Sequence, residues 1–182
     1  MRSALGALIL GYPLTVVAQV TSGRVAATDS VASRVFAVPA GSSRTRGKVT
    51  VKVSGKDTDG AIAIVEMPTQ MGYGPPMHLH HIENEWFYAL EGEYDVQVAD
   101  SVFHIKAGGS VYGPRLIAHT WRDVGKTPGK MMVVAQPAGH LEAFLEDLAS
   151  LGPPEKRDPA AYRAVYAKHH MDIVGPPLGR QP

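Results

Sequence analysis

The feature that most constrains the fold of this chain is a rhythm of short apolar runs between residues 31 and 137. Valine, isoleucine and aromatic residues recur in segments such as KVTVKV and EYDVQV. Gly, Pro or Asp interrupts them about every eight to twelve residues. The segment SGKDTDG predicts a hairpin turn between two runs, because Gly and Asp adopt the unusual dihedral angles of such turns. This pattern predicts antiparallel strands in a sandwich or barrel.

The pattern becomes helical after residue 137. In LEAFLEDLASLG, four apolar residues fall at helical spacing: Leu141, Phe144, Leu145 and Leu148. A second helix is predicted in DPAAYRAVYAKHH, with Asp158 as N-cap and Pro159 in the first position. The closing VGPPLGRQP reads as an extended tail. We therefore expect a β-barrel over residues 31–137, and peripheral helices and a tail packing on it over residues 138–182.

Residues 1–27 differ from the rest of the chain. A short basic start is followed by the apolar stretch SALGALILGYPLTVVAQV, which is too short to span a bilayer comfortably and is interrupted by Pro13. This composition resembles a secretory signal peptide, which predicts a secreted or periplasmic protein. The alternative is an N-terminal arm or a misassigned start, and the protein would then be cytoplasmic.

Composition narrows the function classes. A length of 182 residues suits one core, and a net charge of +1 without a long charged block argues against nucleic acid and membrane surfaces as partners. The partner is therefore expected to be a small molecule. Since the chain contains no cysteine, a metal ion would need nitrogen and oxygen ligands.

Histidines and glutamates are crowded into PPMHLHHIENEWFY, which begins at Pro75. Alternate residues of a strand share a face, so His78 and His80 should point to the same side. Glu85 begins the next predicted strand, which could adjoin the first, and His119 follows a turn much later in the chain. Three imidazoles and one carboxylate would leave one or two open positions on a divalent first-row metal ion.

The spacing of these residues resembles the two sequence motifs of the cupin superfamily. The first runs from Gly72 through the His78-x-His80 pair and Glu85 to Gly92. The second contains Gly108, Pro114 and His119, with Leu116 where the family usually has glycine and Asp123 where it usually has asparagine. The order of elements over residues 35–178 resembles small single-domain cupins related to quercetin 2,3-dioxygenases.

The resemblance implies an all-β fold, a double-stranded β-helix or jelly-roll barrel, with C-terminal helices. It also implies one divalent transition metal ion inside the barrel, held by His78, His80, Glu85 and His119. In the flavonol dioxygenases, the glutamate ligand accepts the substrate's hydroxyl proton, oxygen opens the ring and carbon monoxide leaves. Glu85 would then be the catalytic base, O2 a co-substrate, and the substrate an aromatic or other hydrophobic molecule.

Two other functions fit the same residues. One is a redox-neutral isomerase, lyase or cyclase, in which the ion acts as a Lewis acid. The other is a non-enzymatic cupin that binds a metal and a small molecule. The metal is equally open among iron, manganese, copper, nickel, cobalt and zinc.

The remaining residues are assigned by strand alternation. Phe87 should share the interior with Glu85, while Trp86, Tyr88 and Leu90 face outward and could form a homodimer interface. Further interior candidates are Met67, Met77, Met132 and Val134. Tyr112 and Trp121 could contact a ligand, and Arg115 is expected to brace its loop. Surface positions are expected for the other ionisable residues: His81, Glu83, His104, His140, His169 and His170.

Overall fold

The computed structural model describes residues 36–41 and 44–179 of the chain. The signal peptide predicted over residues 1–27 lies outside the described residues. Within them, eleven strands and two α-helices follow one another. The strands are β1 Thr45–Arg46, β2 Val49–Val53, β3 Ala63–Pro68, β4 Pro76–His80, β5 Asn84–Glu91, β6 Glu93–Val98, β7 Ser101–Lys106, β8 Ser110–Gly113, β9 His119–Asp123, β10 Lys130–Gln136 and β11 Met171–Pro177. The helices are α1 Leu141–Ser150 and α2 Pro159–Lys168.

The strands form two antiparallel sheets. One has the order β1-β2-β3-β10-β5-β8 and the other β11-β4-β9-β6-β7. Burial alternates along β5, so that Phe87 and Ala89 lie in the core and Trp86 and Tyr88 do not. This alternation lets each sheet bury one face against the other. The predicted all-β double-stranded β-helix with C-terminal helices is therefore confirmed.

The strand β11 was not identified from the sequence, which suggested only an extended tail. It pairs antiparallel with β4 and is an edge strand of the five-stranded sheet. Its residues GPP resemble a strand breaker, but an edge strand tolerates proline because one side of its backbone needs no ladder hydrogen bonds. Register shifts around Gly175 accommodate them. β-structure thus resumes after the two helices, at the C-terminal end of the described residues.

Both helices form where the sequence predicts them. The Asp158 side chain accepts a hydrogen bond from the Ala161 amide at 2.7 Å, and Pro159 occupies the first turn. The helices are less peripheral than expected, since Phe144 of α1 and Val165 and Tyr166 of α2 are buried with Met171 in a second small core. Among the described residues, no helix has the length and apolar character needed to cross a membrane.

The interior face of β10 differs from the prediction by one residue. Met131, Val133 and Ala135 are buried, whereas the expected Met132 and Val134 are only partly buried. Met77 likewise alternates with the buried His78 on β4 and does not share its face. The run MMVVA in β10 is apolar on both faces, so composition cannot identify which face points inward.

Candidate metal centre

Four side chains from both sheets meet inside the barrel. His78 and His80 lie on β4, and His119 at the start of β9 pairs directly with His78. Glu85 lies on β5 of the opposite sheet, so the two strands do not adjoin as the sequence suggested. All four residues are buried, and one ligand atom from each lies within 4.8 Å of the others. The cluster therefore joins the two sheets at one point and could hold a metal ion.

The carboxylate of Glu85 lies between two imidazoles. Its Oε2 is 3.2 Å from His119 Nε2 and 3.5 Å from His80 Nε2. The His80 and His119 rings are stacked, with an interplanar angle of 8° and centroids 5.4 Å apart. Glu85 and the Nε2 atoms of these two rings thus face a common space.

The other ring nitrogen of each histidine is held by an acceptor. His78 Nδ1 lies 2.8 Å from the Pro76 carbonyl oxygen, and His119 Nδ1 lies 3.0 Å from the Ile117 carbonyl oxygen. His80 Nδ1 lies 3.2 Å from Glu83 Oε2. Since a carbonyl oxygen can only accept, Nδ1 carries the proton in His78 and His119. The Nε2 atoms of both rings are then the ones that would face a metal, the usual arrangement of metal-binding histidines.

One buried atom in the cluster lacks a hydrogen-bond partner. His80 Nε2 makes no hydrogen bond, although buried polar atoms nearly always make one. A metal ion would satisfy this atom, and three imidazole nitrogens with one carboxylate oxygen form a donor set that suits divalent first-row ions. The residues present therefore fit a transition metal ion.

Electrostatics distinguish His78 from the pair formed by His80 and Glu85. Burial, together with the charges of His119 and His80, lowers the pKa of His78 to about 3, so that His78 is neutral. Burial also opposes the charge on His80, but the Glu85 and Glu83 carboxylates outweigh it and raise its pKa to about 10. Burial would raise the pKa of Glu85, yet His80 and His119 hold it well below its usual range. Without a metal, the cluster is a buried imidazolium–carboxylate pair flanked by a neutral imidazole.

Glu83 was predicted to be a solvated loop carboxylate, and this prediction is wrong. Its side chain is 2% exposed, and its Oε1 accepts a hydrogen bond from the His140 amide at 2.6 Å. Its other oxygen faces His80 Nδ1. A Cβ on Gly139 would lie 1.9 Å from Glu83 Oε1, so only glycine leaves room for this carboxylate. The loop sequence HIEN gave no sign of this contact because its partner is 57 residues away.

An apolar cavity of about 90 Å³ adjoins the cluster and is called the inner cavity below. His78, Glu85 and Phe87 line it, and so does Trp121, for which the sequence suggested a ligand contact. Tyr112 was given the same role, but it lies outside the cavity lining and is 56% exposed. Arg115 contributes its backbone amide, which donates to the Asn84 side chain.

The helices supply cavity residues that sequence analysis missed. Phe144 of α1 and Tyr162 and Tyr166 of α2 line the inner cavity. The Tyr166 ring meets the His78 ring edge-on at 5.4 Å between centroids, and its hydroxyl lies 3.1 Å from that of Tyr162. Helical spacing in the sequence identified Phe144 as one of the apolar residues of α1 but assigned no role to the two tyrosines.

The remaining histidines divide into exposed and buried. His81 and His104 are exposed, as predicted, and pair with Asp172 and Asp95. His170 is also exposed. His169 contradicts the prediction, since it is 3% exposed and its Nε2 lies 2.7 Å from Asp147. His140 is half-buried against it, with ring centroids 5.7 Å apart.

Comparison with known proteins agrees with the fold. Residues 64–135 match the family model of the cupin domain, and these residues include the clustered side chains of β4 and β5 as well as His119 of β9. The match and the double-stranded β-helix together support the cupin superfamily for this part of the chain. No curated protein matches the sequence.

Several solved structures are similar over part of the chain. A protein from Thermus thermophilus is 24% identical, with 43% of this chain and 74% of that one covered and a TM-score of 0.41. An RmlC-like cupin from Shewanella frigidimarina is 20% identical, with coverages of 50% and 78% and a TM-score of 0.42. A predicted oxalate decarboxylase from Thermotoga maritima is 23% identical, with coverages of 48% and 77% and a TM-score of 0.43.

Proposed function

We propose that this protein is a metal-dependent dioxygenase that cleaves a flavonol-like or other aromatic, enolic substrate with O2. The observation that carries the proposal is the cluster of His78, His80, Glu85 and His119, two of which, His78 and Glu85, line an aromatic-rich cavity. A redox-active ion bound there would supply the means for an oxidisable substrate and O2 to react. The sequence resemblance to quercetinase-related cupins supports the same reaction.

In this proposal the chain binds, orients and deprotonates the substrate. Phe87, Trp121 and Tyr166 would hold a flat ring in the inner cavity and exclude water from it. Glu85 is ionised and would accept the proton of the substrate's enolic hydroxyl. Its lowered pKa makes it a weak base, so proton transfer requires the substrate hydroxyl to become more acidic when bound.

A redox-neutral reaction is the second candidate, and the two tyrosine hydroxyls favour it. Burial and the neighbouring Tyr162 raise the pKa of Tyr166 well above its usual value, and burial also raises the pKa of Tyr162. Both groups therefore keep their protons and could protonate an enolate in the inner cavity. Such a pair suits an isomerase, lyase or cyclase, in which protons move and oxygen is not consumed.

Oxygen uptake by the metal-analysed protein distinguishes these functions. The protein would be assayed with quercetin, catechols and β-diketones beside the His119→Ala variant. The matched control is His81→Ala, which removes an exposed histidine outside the cluster. Uptake that is retained in the control and lost in His119→Ala is the expected result.

Other outcomes would contradict the dioxygenase proposal. Substrate conversion without oxygen uptake would establish the redox-neutral reaction. Ligand binding by fully metallated protein without any conversion would establish a binding cupin.

A further inference from the structure

A second cavity of about 500 Å³, the outer cavity, lies beside the inner one. Met67, Tyr73, Leu145 and Leu148 line both cavities, so the two are neighbours along the same wall of β3 and α1. The outer volume is that of a typical small-molecule site, whereas the inner cavity alone is too small for a substrate with several rings. A substrate that reaches the metal centre would therefore extend into the outer cavity.

The described residues that line the outer cavity include three cations and no acidic side chain: Arg46, Lys48 and Arg157. Arg46 is neutralised by α1, since it lies 3.6 Å from a Glu142 oxygen and 3.0 Å from a Glu146 oxygen. Lys48 is exposed, and neither it nor Arg157 forms an ion pair with any residue in the described part of the chain. Two positive charges thus face the cavity without a counter-charge.

Arg157 is held in place by groups that leave its charge available. Its Nε donates to the Gly152 carbonyl oxygen at 3.0 Å, and its guanidinium carbon lies 5.6 Å from the centre of the Tyr162 ring. Because no carboxylate of the described residues pairs with it, the guanidinium can still bind a carboxylate through charge-assisted hydrogen bonds. An arginine fixed in this way loses little conformational entropy on binding an anion.

A continuous row of ring contacts joins Arg157 to the metal centre. Arg157 stacks on Tyr162, the Tyr162 and Tyr166 ring centroids are 5.1 Å apart, and Tyr166 meets His78. An elongated ligand lying along this row would place its apolar part on the tyrosines. One end would then lie at His78 and the other beside Arg157.

We propose that the outer cavity binds a carboxylate at the far end of the substrate through Arg157 and Lys48. The substrate class is then an elongated aromatic acid, with its reactive end at the metal centre and its carboxylate at the cavity mouth. This inference builds on the proposed function, but it concerns binding and does not depend on which reaction follows.

The test compares two probes of matched shape, 2-naphthoate and 2-naphthalenemethanol. Their binding to the full chain is measured by fluorescence at low salt, both with metal and after chelation. The variants are Arg157→Gln, Arg157→Lys and Lys48→Gln. The matched control is Lys126→Gln, which removes an exposed lysine that lines neither cavity.

The expected result is that 2-naphthoate binds at least about tenfold more tightly than the neutral alcohol, as one charge-assisted hydrogen bond allows. Arg157→Gln should remove most of this preference, Lys48→Gln part of it, and Lys126→Gln none. Arg157→Lys should restore part, because it keeps the charge. Unchanged binding of the alcohol shows that each variant is folded. If Arg157→Gln does not fold, the loss of carboxylate preference in Lys48→Gln is the result that tests the proposal.

Equal affinity for the two probes, or a preference that survives in Arg157→Gln and Lys48→Gln alike, would overturn the proposal. The affinities of both probes are measured without turnover. A negative result would therefore contradict the carboxylate site without contradicting the proposed dioxygenase activity. A protein without oxygen uptake can still show the carboxylate preference, and an active dioxygenase can lack it.

Discussion

Glu83 is placed to affect the candidate metal centre although it is not one of the four clustered side chains. Its carboxylate connects His80 Nδ1 to the His140 amide just before α1. A carboxylate in this position orients the imidazole and makes it a stronger ligand. The three histidines thus differ in the partner of Nδ1, which is a carboxylate for His80 and a nearby backbone carbonyl oxygen for His78 and His119.

Replacing Glu83 with glutamine should weaken metal binding by about ten- to a hundredfold while the fold is retained. The amide keeps an acceptor oxygen but removes the charge that makes His80 a strong ligand. Competition with a chromophoric chelator would measure the dissociation constant. Glu155→Gln is the matched control, because Glu155 is exposed and is not one of the clustered residues. An unchanged affinity in Glu83→Gln would contradict the role assigned to this carboxylate.

Metal binding should release at least one proton near neutral pH, the one carried by His80. His80 is protonated in the metal-free protein because its pKa is raised to about 10, whereas His78 is already neutral and Glu85 already ionised. Since the metal must displace this proton, affinity should rise about tenfold per pH unit up to the pKa of His80. Calorimetry in buffers of different ionisation enthalpy would count the protons. A titration with no proton release would show that His80 binds the metal from a neutral state.

Leu116 occupies a position that favours glycine. Its φ is +64°, the left-handed region in which a side chain costs about 1–2 kcal/mol, and its side chain is 58% exposed. Its amide donates to the His80 carbonyl oxygen at 2.8 Å, which joins this turn to β4. Leucine in place of the glycine that is usual in the cupin motif therefore leaves the backbone strained in a turn next to the candidate metal centre.

Leu116→Gly should raise the free energy of unfolding by up to about 1 kcal/mol, because relief of strain exceeds the entropy cost of glycine. Ile117→Gly is the control, since Ile117 is also exposed but is not among the residues with positive φ. The control should be destabilised. Urea titrations would measure the free energy of unfolding of both variants. Equal destabilisation of the two would be inconsistent with strain at Leu116.

At the scale of elements, β11 and the helices complete a barrel that the strand pattern of residues 31–137 leaves open. Met171 pairs with His80 and Ile173 with His78, so β11 supports the strand that bears two of the clustered histidines. The helix α2 precedes β11 directly and brings Tyr166 to His78. The C-terminal region thus belongs to the site, and the prediction of a tail lying on the barrel understated its role.

Ending the chain at His170 should reduce metal binding severely and lower the melting temperature. The truncation exposes the edge of β4 and removes the buried Met171. A chain that ends at Gly179 is the matched control, because it keeps all of β11. Metal content and thermal melting by circular dichroism would compare the two. Full metal content in the shorter chain would mean that β4 keeps its geometry without β11.

At the scale of the whole molecule, the cluster links the two sheets. Three of its side chains come from the five-stranded sheet and Glu85 comes from the six-stranded sheet. A bound ion would cross-link the sheets and bind only the folded state. Metal binding and stability should then be coupled.

Zn²⁺ at a hundred times its dissociation constant should stabilise the protein by about 2.7 kcal/mol. The melting temperature should rise accordingly in the parent chain and in His81→Ala, and should not rise in His119→Ala. Differential scanning calorimetry with and without the ion would measure the change. A similar rise in all three proteins would point to binding at another site.

The sequence by itself determined the fold class, both helices and the four side chains that meet inside the barrel. Strand alternation and helical spacing are visible within a few residues, and the motif spacing is visible in the order of residues along the chain. Only the tertiary structure decided that Glu85 faces the histidines from the opposite sheet, that Glu83 and His169 are buried, and that β11 and Tyr166 belong to the site. These features depend on contacts between distant segments, and an apolar run such as that of β10 or a proline-rich run such as that of β11 carries no local sign of its partner.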